Sequence, residues 1–381
     1  MQRTKIAIVG GGAAGLSTAW ALACAGEREV VLLEREPALG TVSSRLNAAI
    51  LRTLTPDPAV SAFARESAGF LRAPPPDFCS QPLLEPTGLL LAAEGEAAVE
   101  LERQATECAD GRGFERLDER RARALAPHFA SPPGVRLWFA DEGRLDNAAL
   151  LLAFARAARA AGARLHCRAA VQQALRTPRG FELVLAGGAR LECAALVLAS
   201  GAWTEVLARE LGSRVELQTT RRHLLVTRGA TGVPPRAPIV WTGSDPFYAR
   251  RDGDGLLLSP CDEQPIAPDR NSADPALRGE LQRKASRFLP GVALGIPAHY
   301  WSGLRAFSGD GERFCIGPDP DVRGLHWAAG LAGHGMTCSI AVGRLAAACL
   351  LDRADGVHAP TGAFARAFAP ARLVRHQPVQ T

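Results

Sequence analysis

The sequence has little of several features that would point to a particular class of protein. Its nine cysteines form no Cys-x-x-Cys pair and no Cys/His cluster at zinc spacing, which argues against a structural metal or a disulfide framework and favours a reducing cytoplasm. The formal net charge is only +5 and the arginines are scattered, so nucleic-acid binding has no support from composition. With 47% hydrophobic and 22% charged residues, the chain has the composition of an ordinary globular protein.

One long uncharged stretch, residues 6–26, is about long enough to cross a bilayer or to resemble a signal peptide. Three consecutive glycines early in this stretch would break a spanning helix, and only two basic residues precede it. We therefore predict neither export nor an integral membrane segment.

The first motif with a chemical meaning lies at the beginning of the chain. A short apolar strand runs into Gly10-x-Gly12-x-x-Gly15, a small-residue helix follows, and residues 30–33 form the predicted returning strand. Gly10 allows a sharp turn, Gly12 lets the backbone approach a pyrophosphate, and Gly15 lets the helix lie close to the strand. Glu34 ends the second strand, where a carboxylate can accept hydrogen bonds from both hydroxyls of an adenosine ribose. This order of elements predicts a dinucleotide-binding βαβ unit.

A second glycine cluster lies near the other end of the chain. A predicted strand at residues 325–328 is followed by Gly330, Gly333 and Gly335, and then by a small-residue helix. A helix N-terminus beside bare backbone suits an anionic group, such as the pyrimidine end of a reduced flavin. The long excursion through residues 40–51 is also untypical of a nicotinamide domain. Two glycine–helix sites at opposite ends of one chain fit one long cofactor, so we predict FAD.

Hydrophobic periodicity predicts the elements between the two clusters. It indicates helices at residues 59–71 and 146–161, and one strand over residues 164–171. Gly187 and Gly188 separate two apolar runs and predict a hairpin.

The sequence resembles the D-amino acid oxidase and glycine oxidase family of flavoproteins, and most closely the bacterial D-arginine dehydrogenases. The resemblance covers nearly the whole chain. Its most specific part is the Gly-Leu-Arg-x-Phe run at residues 303–307, with Asp310 and Gly311 downstream, whereas the first glycine motif is shared by many FAD and NAD folds. The other matching segments are residues 9–15, 78–84, 217–222, 247–248 and 333–335.

The resemblance implies an α/β fold in which a Rossmann-like FAD-binding domain of the glutathione-reductase type is interleaved with an α+β substrate domain. The substrate domain is expected to be built on a mostly antiparallel sheet. Two domains also agree with a length of 381 residues. We assign residues 1–80, 141–215 and 303–369 to the FAD-binding domain, residues 81–140 and 216–302 to the substrate domain, and residues 370–381 to a mobile tail.

The resemblance also implies which side chains hold the substrate. Arg305 matches the family's carboxylate clamp, and its planar fork can donate two charge-assisted hydrogen bonds to a carboxylate. Tyr248 matches a tyrosine at the substrate carboxylate or lid, and Arg222 matches a second basic residue of the pocket. Arg221 and Arg222 alternate across a predicted strand, so at most one of them faces the pocket.

Candidate FAD-binding residues come from the two glycine motifs and from the resemblance. They are Gly10, Gly12, Ala13, Ala14, Gly15, Glu34, Arg35, Ser43, Ser44, Val171, Ser200, Gly201, Trp203, Gly303, Arg305, Gly333, His334, Gly335, Met336 and Thr337.

The sequence departs from the D-arginine dehydrogenases where those enzymes place a histidine over the flavin, because the corresponding position here is Ile50 or Leu51. Either an amine that enters neutral needs no protein base, or another group serves. His334 and His223 are the candidates, each with a purely structural role as the alternative. His334 is retained as a fourth candidate catalytic residue beside the three named above.

Other departures concern the substrate side chain. Leu89 stands where those enzymes place a glutamate that pairs with the guanidinium of arginine, so a cationic side chain would be buried unpaired here. Thr337 replaces a larger amide. An apolar D-amino acid, a cyclic imino acid or an N-substituted glycine fits this pocket better than arginine or lysine. Arg52 either places a positive charge near the pocket, favouring an additional anionic group, or is a solvated loop arginine.

We predict an FAD-dependent oxidoreductase that oxidises a D-amino acid or a related amine or imino acid to the imino product by hydride transfer to flavin. Oxygen or a quinone is the expected electron acceptor. Cys315 raises the possibility of a covalent flavin, but residues 313–318 resemble the non-covalent pattern, so we expect non-covalent FAD and no metal. Two alternatives stay open: an FAD-dependent 2-hydroxy-acid dehydrogenase, and a flavin-bearing binding or assembly protein without turnover.

Overall fold

The fold is taken from a computed structural model that describes residues 2–107, 113–352 and 361–374. Within these residues no helix is both long enough and apolar enough to cross a membrane. The strands are β1 Gln2–Val9, β2 Val30–Leu33, β3 Ile50–Leu51, β4 Leu84–Glu85, β5 Leu89–Ala93, β6 Glu115–Arg116, β7 Val135–Phe139, β8 Gly143–Leu145, β9 Arg164–His166, β10 Val171–Thr177, β11 Gly180–Leu185, β12 Arg190–Leu198, β13 Leu217–Arg228, β14 Ile239–Thr242, β15 Phe247–Asp252, β16 Gly255–Ser259, β17 Gln264–Pro265, β18 Ile296–Ser308, β19 Cys315–Pro318 and β20 Leu325–Ala329.

The α-helices connect or cover these strands. They are α1 Ala13–Cys24, α2 Pro58–Arg72, α3 Gly95–Glu107, α4 Glu119–Leu125, α5 Asn147–Ala160, α6 Thr204–Glu210, α7 Leu277–Phe288, α8 Ser339–Leu350 and α9 Thr361–Ala367.

The first sheet has a parallel centre. β9, β2, β1, β12 and β20 lie side by side in the same direction, while the β10–β11 hairpin and β19 add antiparallel strands. The register places Val9 of β1 opposite both Leu33 and Leu198, and Leu198 opposite Trp327. The carboxyl ends of these strands therefore meet at one edge of the sheet, where open α/β sheets bind their ligands.

Helices α1, α2, α5 and α8 form an apolar layer over this sheet. α1 is buried almost all round, which its uncharged sequence permits. Asp57 and Asp146 cap α2 and α5 by accepting backbone N–H bonds from their first turns. Trp20 of α1 packs against three phenylalanines at centroid distances of 5.4–5.6 Å, namely Phe70, Phe78 and Phe154. The predicted helices at residues 59–71 and 146–161 correspond to α2 and α5.

The second sheet is mostly antiparallel. Its order is β17-β13-β16-β15-β14-β5-β7-β6, with β18 also paired to β13. Among the described strands of this sheet, β5 and β14 are the only pair that runs parallel. β18 pairs with β13 along nearly its whole length and places Arg305 opposite Thr220. β18 also crosses the boundary that the sequence suggested between residues 302 and 303. A third, small sheet joins β3, β8 and β4.

The structure differs from two of the sequence expectations. The single strand expected over residues 164–171 is two strands, β9 and β10, because Arg168 takes a φ of 55° and turns the chain between them. The tail is packed where it is described: Val374 pairs with Val215, and Arg372 forms an ion pair with Asp310. Residues 375–381 lie outside the described residues.

Candidate active site

A long cavity of about 380 Å³ opens at the carboxyl edge of the first sheet. It lies where β1, β12 and β20 end, so residues from both ends of the chain face each other across it. The candidate FAD-binding residues that line it are Gly10, Gly12, Ala13, Ala14, Glu34, Arg35, Ser43, Ser44, Val171, Ser200, Gly201, Trp203, Arg305, Gly333, Gly335 and Met336.

Three glycines shape the first turn of this cavity. Gly10 has a φ of 113°, and a Cβ on it would lie 2.3 Å from the carbonyl oxygen of Ala199. A Cβ on Gly15 would lie 1.9 Å from the carbonyl oxygen of Gly10, so only glycine lets α1 approach the end of β1 this closely. Gly12 lines the cavity at the start of α1, where the backbone N–H groups have no partner within the helix. The turn is therefore built to receive an anion on bare backbone.

Glu34 and Ser44 are held in place at the same end. Glu34 Oε2 accepts a hydrogen bond of 2.7 Å from the Gly11 N–H, and Oε1 accepts one of 2.9 Å from the Glu36 N–H. Ser44 Oγ accepts a bond of 2.9 Å from the Ala13 N–H. Each of these oxygens keeps a further lone pair, so Glu34 can also accept bonds from sugar hydroxyls.

Arg35 and Trp203 form a further part of the cavity wall. The guanidinium carbon of Arg35 lies 3.6 Å from the ring centroid of Trp203, a cation–π contact. Trp203 Nε1 also donates a 3.0 Å hydrogen bond to Asp269, in the segment between β17 and α7. Trp203 thereby ties a segment of the second sheet's connections to the wall of the first cavity.

A second cavity of about 330 Å³ lies against the second sheet. Asn47, Arg305, Gly333 and Met336 line both cavities, so the two adjoin. The candidate residues Tyr248, Arg222, His334 and Thr337 line the second cavity together with Arg305. Gly15 and Gly303 line neither cavity; a Cβ on Gly303 would lie 2.5 Å from the Leu46 carbonyl oxygen, so this glycine lets the loop after Ser44 approach β18.

Arg305 is the cation at the junction of the two cavities. Only 7% of its surface is exposed, and its Nη1 donates a 2.9 Å hydrogen bond to the carbonyl of Leu304. Burial, assisted by the charge of Arg222, lowers the pKa of Arg305 to about 10, so it still carries its charge at neutral pH. No carboxylate among the described residues forms an ion pair with it. An anionic ligand would supply the missing counter-charge.

Tyr248 and Arg222 stand beside it. Tyr248 is 2% exposed and packs on Trp241 with the ring centroids 4.7 Å apart. Burial raises the pKa of Tyr248, so its hydroxyl remains a donor. Arg222 forms an ion pair with Glu263, whereas Arg221 bonds to residues outside the cavity, as strand alternation requires.

The two histidine candidates have different surroundings. His334 lines the second cavity, and its Nε2 lies 3.2 Å from Glu312 Oε2. Burial by itself would raise the pKa of Glu312, but the contact with His334 holds that pKa below its usual value. His223 is fully buried: its Nδ1 bonds to Asp262 at 2.7 Å and its Nε2 accepts from the Asp274 N–H at 2.9 Å. With both ring nitrogens occupied, His223 has a structural role.

Sequence reasoning missed several residues of the second cavity. Glu312, Glu263, Trp241 and Cys261 all line it, and no motif in the sequence identified them. Only Glu312 stood near a motif, since it follows the Asp-Gly pair downstream of Arg305.

Two residues that bear on the predicted substrate and on covalent flavin attachment lie outside both cavities. Leu89 and Cys315 are both fully buried in apolar clusters, and they line neither cavity. Burial also raises the pKa of the Cys315 thiol, which disfavours the thiolate needed for covalent attachment.

Glu142 is a buried acid that is hydrogen-bonded to Thr53, the residue after Arg52. It is 1% exposed, its Oε1 accepts a 2.7 Å bond from the Thr53 N–H, and its Oε2 has no partner among the described residues. Burial raises the pKa of Glu142 from 4.5 to about 7, although the bonds from Thr53 oppose the shift. Thr53 follows Arg52 directly, so Glu142 anchors the segment that carries this arginine.

We expect the contribution of Glu142 to the stability of the protein to be lost as the pH rises from about 4.5 to 7, because Glu142 binds its proton more tightly in the folded than in the unfolded chain. Glu142→Gln removes this dependence on pH. The free energy of unfolding of the variant should therefore exceed that of the wild type by up to about 3 kcal/mol at pH 8, and by little at pH 4. Urea unfolding of both proteins between pH 4 and pH 8 measures the difference. Glu85→Gln, at an exposed position in β4 of the small sheet, whose strand β8 begins directly after Glu142, is the control. Parallel curves for wild type and Glu142→Gln would contradict the prediction.

Comparison with known proteins agrees with this geometry. The family described as FAD dependent oxidoreductase, DAO, matches residues 5–349. The chain is 24% identical over 371 residues to the 4-methylaminobutanoate oxidase (formaldehyde-forming) of Paenarthrobacter nicotinovorans, covering 92% of this chain and 44% of that protein. It is 27% identical over 219 residues to the glycine oxidase of Bacillus licheniformis, covering 55% of each chain. The chain thus spans about half the length of these two relatives.

Solved structures show the same fold. The crystal structure of glycine oxidase from Geobacillus kaustophilus superposes with a TM-score of 0.83 at 24% identity, over 99% of this chain and 100% of that one. The fold and the first cavity together fit a dinucleotide-binding flavoprotein, and a second cavity adjoins that site. The chain belongs to the DAO family of FAD-dependent oxidoreductases.

The residues present fit FAD. The glycine turn and the start of α1 suit a pyrophosphate, and Glu34 suits the hydroxyls of a ribose. Gly330, Gly333 and Gly335, which precede α8, line the other part of the cavity together with Arg305. The cavity therefore leads from the adenosine end of an FAD site to the second cavity.

Proposed function

We propose that this protein oxidises an amino acid or an N-substituted amino acid at the carbon next to nitrogen, using non-covalent FAD. The observation that carries the proposal is Arg305, a buried arginine that pairs with no carboxylate in the described part of the chain and lies where the two cavities adjoin. When bound, FAD accepts a hydride equivalent from the substrate. The relatives named as a 4-methylaminobutanoate oxidase and a glycine oxidase support an amine that also carries a carboxylate.

Arg305 and Tyr248 hold the substrate carboxylate in this proposal. The guanidinium fork donates two hydrogen bonds, and the protonated Tyr248 hydroxyl donates a third. Fixing the carboxylate places the neighbouring carbon towards the cofactor cavity, since Arg305 lines both cavities. The resemblance of the Arg305 motif to D-amino acid oxidases favours the D enantiomer of a chiral substrate.

The amine must lose its proton before oxidation, because its lone pair forms the new C=N bond as the C–H bond breaks. Three arginines and two glutamates line the second cavity, namely Arg52, Arg222, Arg305, Glu263 and Glu312. This excess of positive charge lowers the pKa of a bound ammonium and favours the neutral amine. His334, held by Glu312, is the cavity's one histidine among the described residues and can accept the proton. The imine product then hydrolyses in water.

The test is anaerobic reduction of the purified flavoprotein by a panel of primary and N-methyl amino acids, as D and L enantiomers, with 2-hydroxy acids of matching side chain. At least one amine is expected to remove the visible absorbance of oxidised flavin, and its hydroxy analogue is not. Reduction by the hydroxy acids alone would instead indicate a 2-hydroxy-acid dehydrogenase. A flavin that no amine reduces rules the proposal out.

We further propose a cytoplasmic protein that passes its electrons to oxygen or to a quinone. Mixing the reduced protein with oxygen, or with a soluble quinone under anaerobic conditions, and following the return of flavin absorbance identifies the acceptor.

A further inference from the structure

A second arginine of the second cavity, Arg52, also forms no ion pair with a carboxylate among the described residues. Arg52 lines this cavity, its Nε donates a 2.6 Å hydrogen bond to the carbonyl of Leu54, and its guanidinium carbon lies 4.6 Å from the ring centroid of Trp241. Its terminal nitrogens form no hydrogen bond or ion pair with the residues that the structure describes. Arg222, in contrast, is neutralised by Glu263. A cation without a partner in a small cavity points to an anionic ligand.

The two acids whose charges act on Arg52, Glu312 and Glu142, are engaged elsewhere. Glu312 Oε2 contacts His334 at 3.2 Å, and Glu142 Oε1 accepts a bond from Thr53. Burial also raises the pKa of Glu142 to about 7, so this carboxyl carries less than a full charge at neutral pH. Burial lowers the pKa of Arg52 despite both acids. Neither acid therefore replaces a direct counter-ion.

We propose that Arg52 binds a second carboxylate of the substrate, so that the preferred substrate is a small amino or imino dicarboxylate held between Arg305 and Arg52. This inference rests on the proposed function. The Trp241 ring covers one face of the guanidinium and leaves its N–H edge to meet a carboxylate. A cavity of about 330 Å³ accommodates a molecule of this size.

The competing role for Arg52 is purely structural, since its hydrogen bond to the carbonyl of Leu54 closes the turn after β3. An arginine with this structural role would contribute to the stability of the protein and to the shape of the cavity. It would not distinguish a ligand carboxylate from the amide of the same size. The comparison of acids with their amides therefore separates the two roles.

The experiment titrates the FAD-loaded protein with malonate, succinate and glutarate, and with the monoamide of each. Binding is followed by the flavin spectrum and by calorimetry, neither of which requires turnover. At least one diacid is expected to bind at least about tenfold more tightly than its monoamide, the effect of one charge-assisted hydrogen bond or more. Arg52→Met should abolish this ratio, whereas Arg52→Lys should keep part of it.

Arg144→Met is the matched control, because Arg144 pairs with Glu85 on the exposed side of the same small sheet and lines neither cavity. The control should retain the full diacid preference. Equal binding of acids and amides by the wild type, or a preference that survives in Arg52→Met, overturns the inference. Flavin reduction by amino acids with uncharged side chains, together with such a result, leaves the proposed function intact. A flavin that no amine reduces removes the proposed function, while the diacid ratio still decides the role of Arg52.

Discussion

Replacing Arg305 by leucine is expected to lower the efficiency of flavin reduction by a factor of about 10²–10⁴. The variant loses two charge-assisted hydrogen bonds to the substrate carboxylate, each worth about 1.5–3 kcal/mol. The loss should appear mainly as weaker substrate binding if the arginine only holds the substrate. It should also appear in the limiting rate if the arginine aims the reacting carbon. The measurement is the anaerobic reduction rate as a function of substrate concentration.

Two further variants make this result specific. Arg305→Lys keeps the charge and loses the fork, so it should fall between the wild type and the leucine variant. Arg228→Leu removes an exposed arginine from the neighbouring strand β13 and should leave the reduction rate unchanged. Flavin content must be measured for each variant, because Arg305 also lines the cofactor cavity. A leucine variant with full flavin content and a wild-type reduction rate would contradict the assignment of Arg305.

Gly15→Ala is expected to reduce both the FAD retained per chain and the thermal stability. The added methyl would lie 1.9 Å from the Gly10 carbonyl oxygen, which is backbone and cannot move aside without displacing α1 from β1. Overpacking of this kind costs about 1–3 kcal/mol or more. The displaced helix would also carry its N-terminal N–H groups away from the pyrophosphate position. Flavin absorbance per chain and thermal unfolding with and without added FAD measure the two effects.

Gly69→Ala is the matched control for this change. Gly69 also lies within a helix, α2, and a Cβ there would meet no heavy atom within 4 Å. Alanine has the higher helix propensity, so this variant should match or exceed the wild-type stability by up to about 1 kcal/mol. FAD retention by Gly15→Ala equal to that of the wild type would show that α1 does not need this close approach.

The βαβ unit could be predicted because its signals are local. A glycine at a turn with positive φ, an apolar run of strand length and an acid at the end of the next strand lie within about thirty residues. Helices α2 and α5 were predicted for the same reason, since helical periodicity is a property of consecutive residues. The division of residues 164–171 into β9 and β10 could not be predicted, because Arg168 turns the chain without glycine or proline.

Arg305, Tyr248 and Arg222 were predicted to hold the substrate by resemblance to a known family. In the tertiary structure all three line the second cavity. Which charges meet there was not readable from the chain. Glu312 meets His334 and Glu263 meets Arg222, across separations of 22 and 41 residues.

Arg52 shows most directly what the chain alone leaves open. Its type and its place just after the excursion through residues 40–51 were evident, but a solvated loop arginine and a pocket arginine have the same sequence. The packing of the small third sheet and of Trp241 decides that Arg52 lines the second cavity. Local conformation follows from neighbouring residues, whereas the partner of a charge depends on which distant elements pack around it. The cofactor class was therefore determined in the sequence, whereas the set of charges that line the second cavity was decided only in the folded protein.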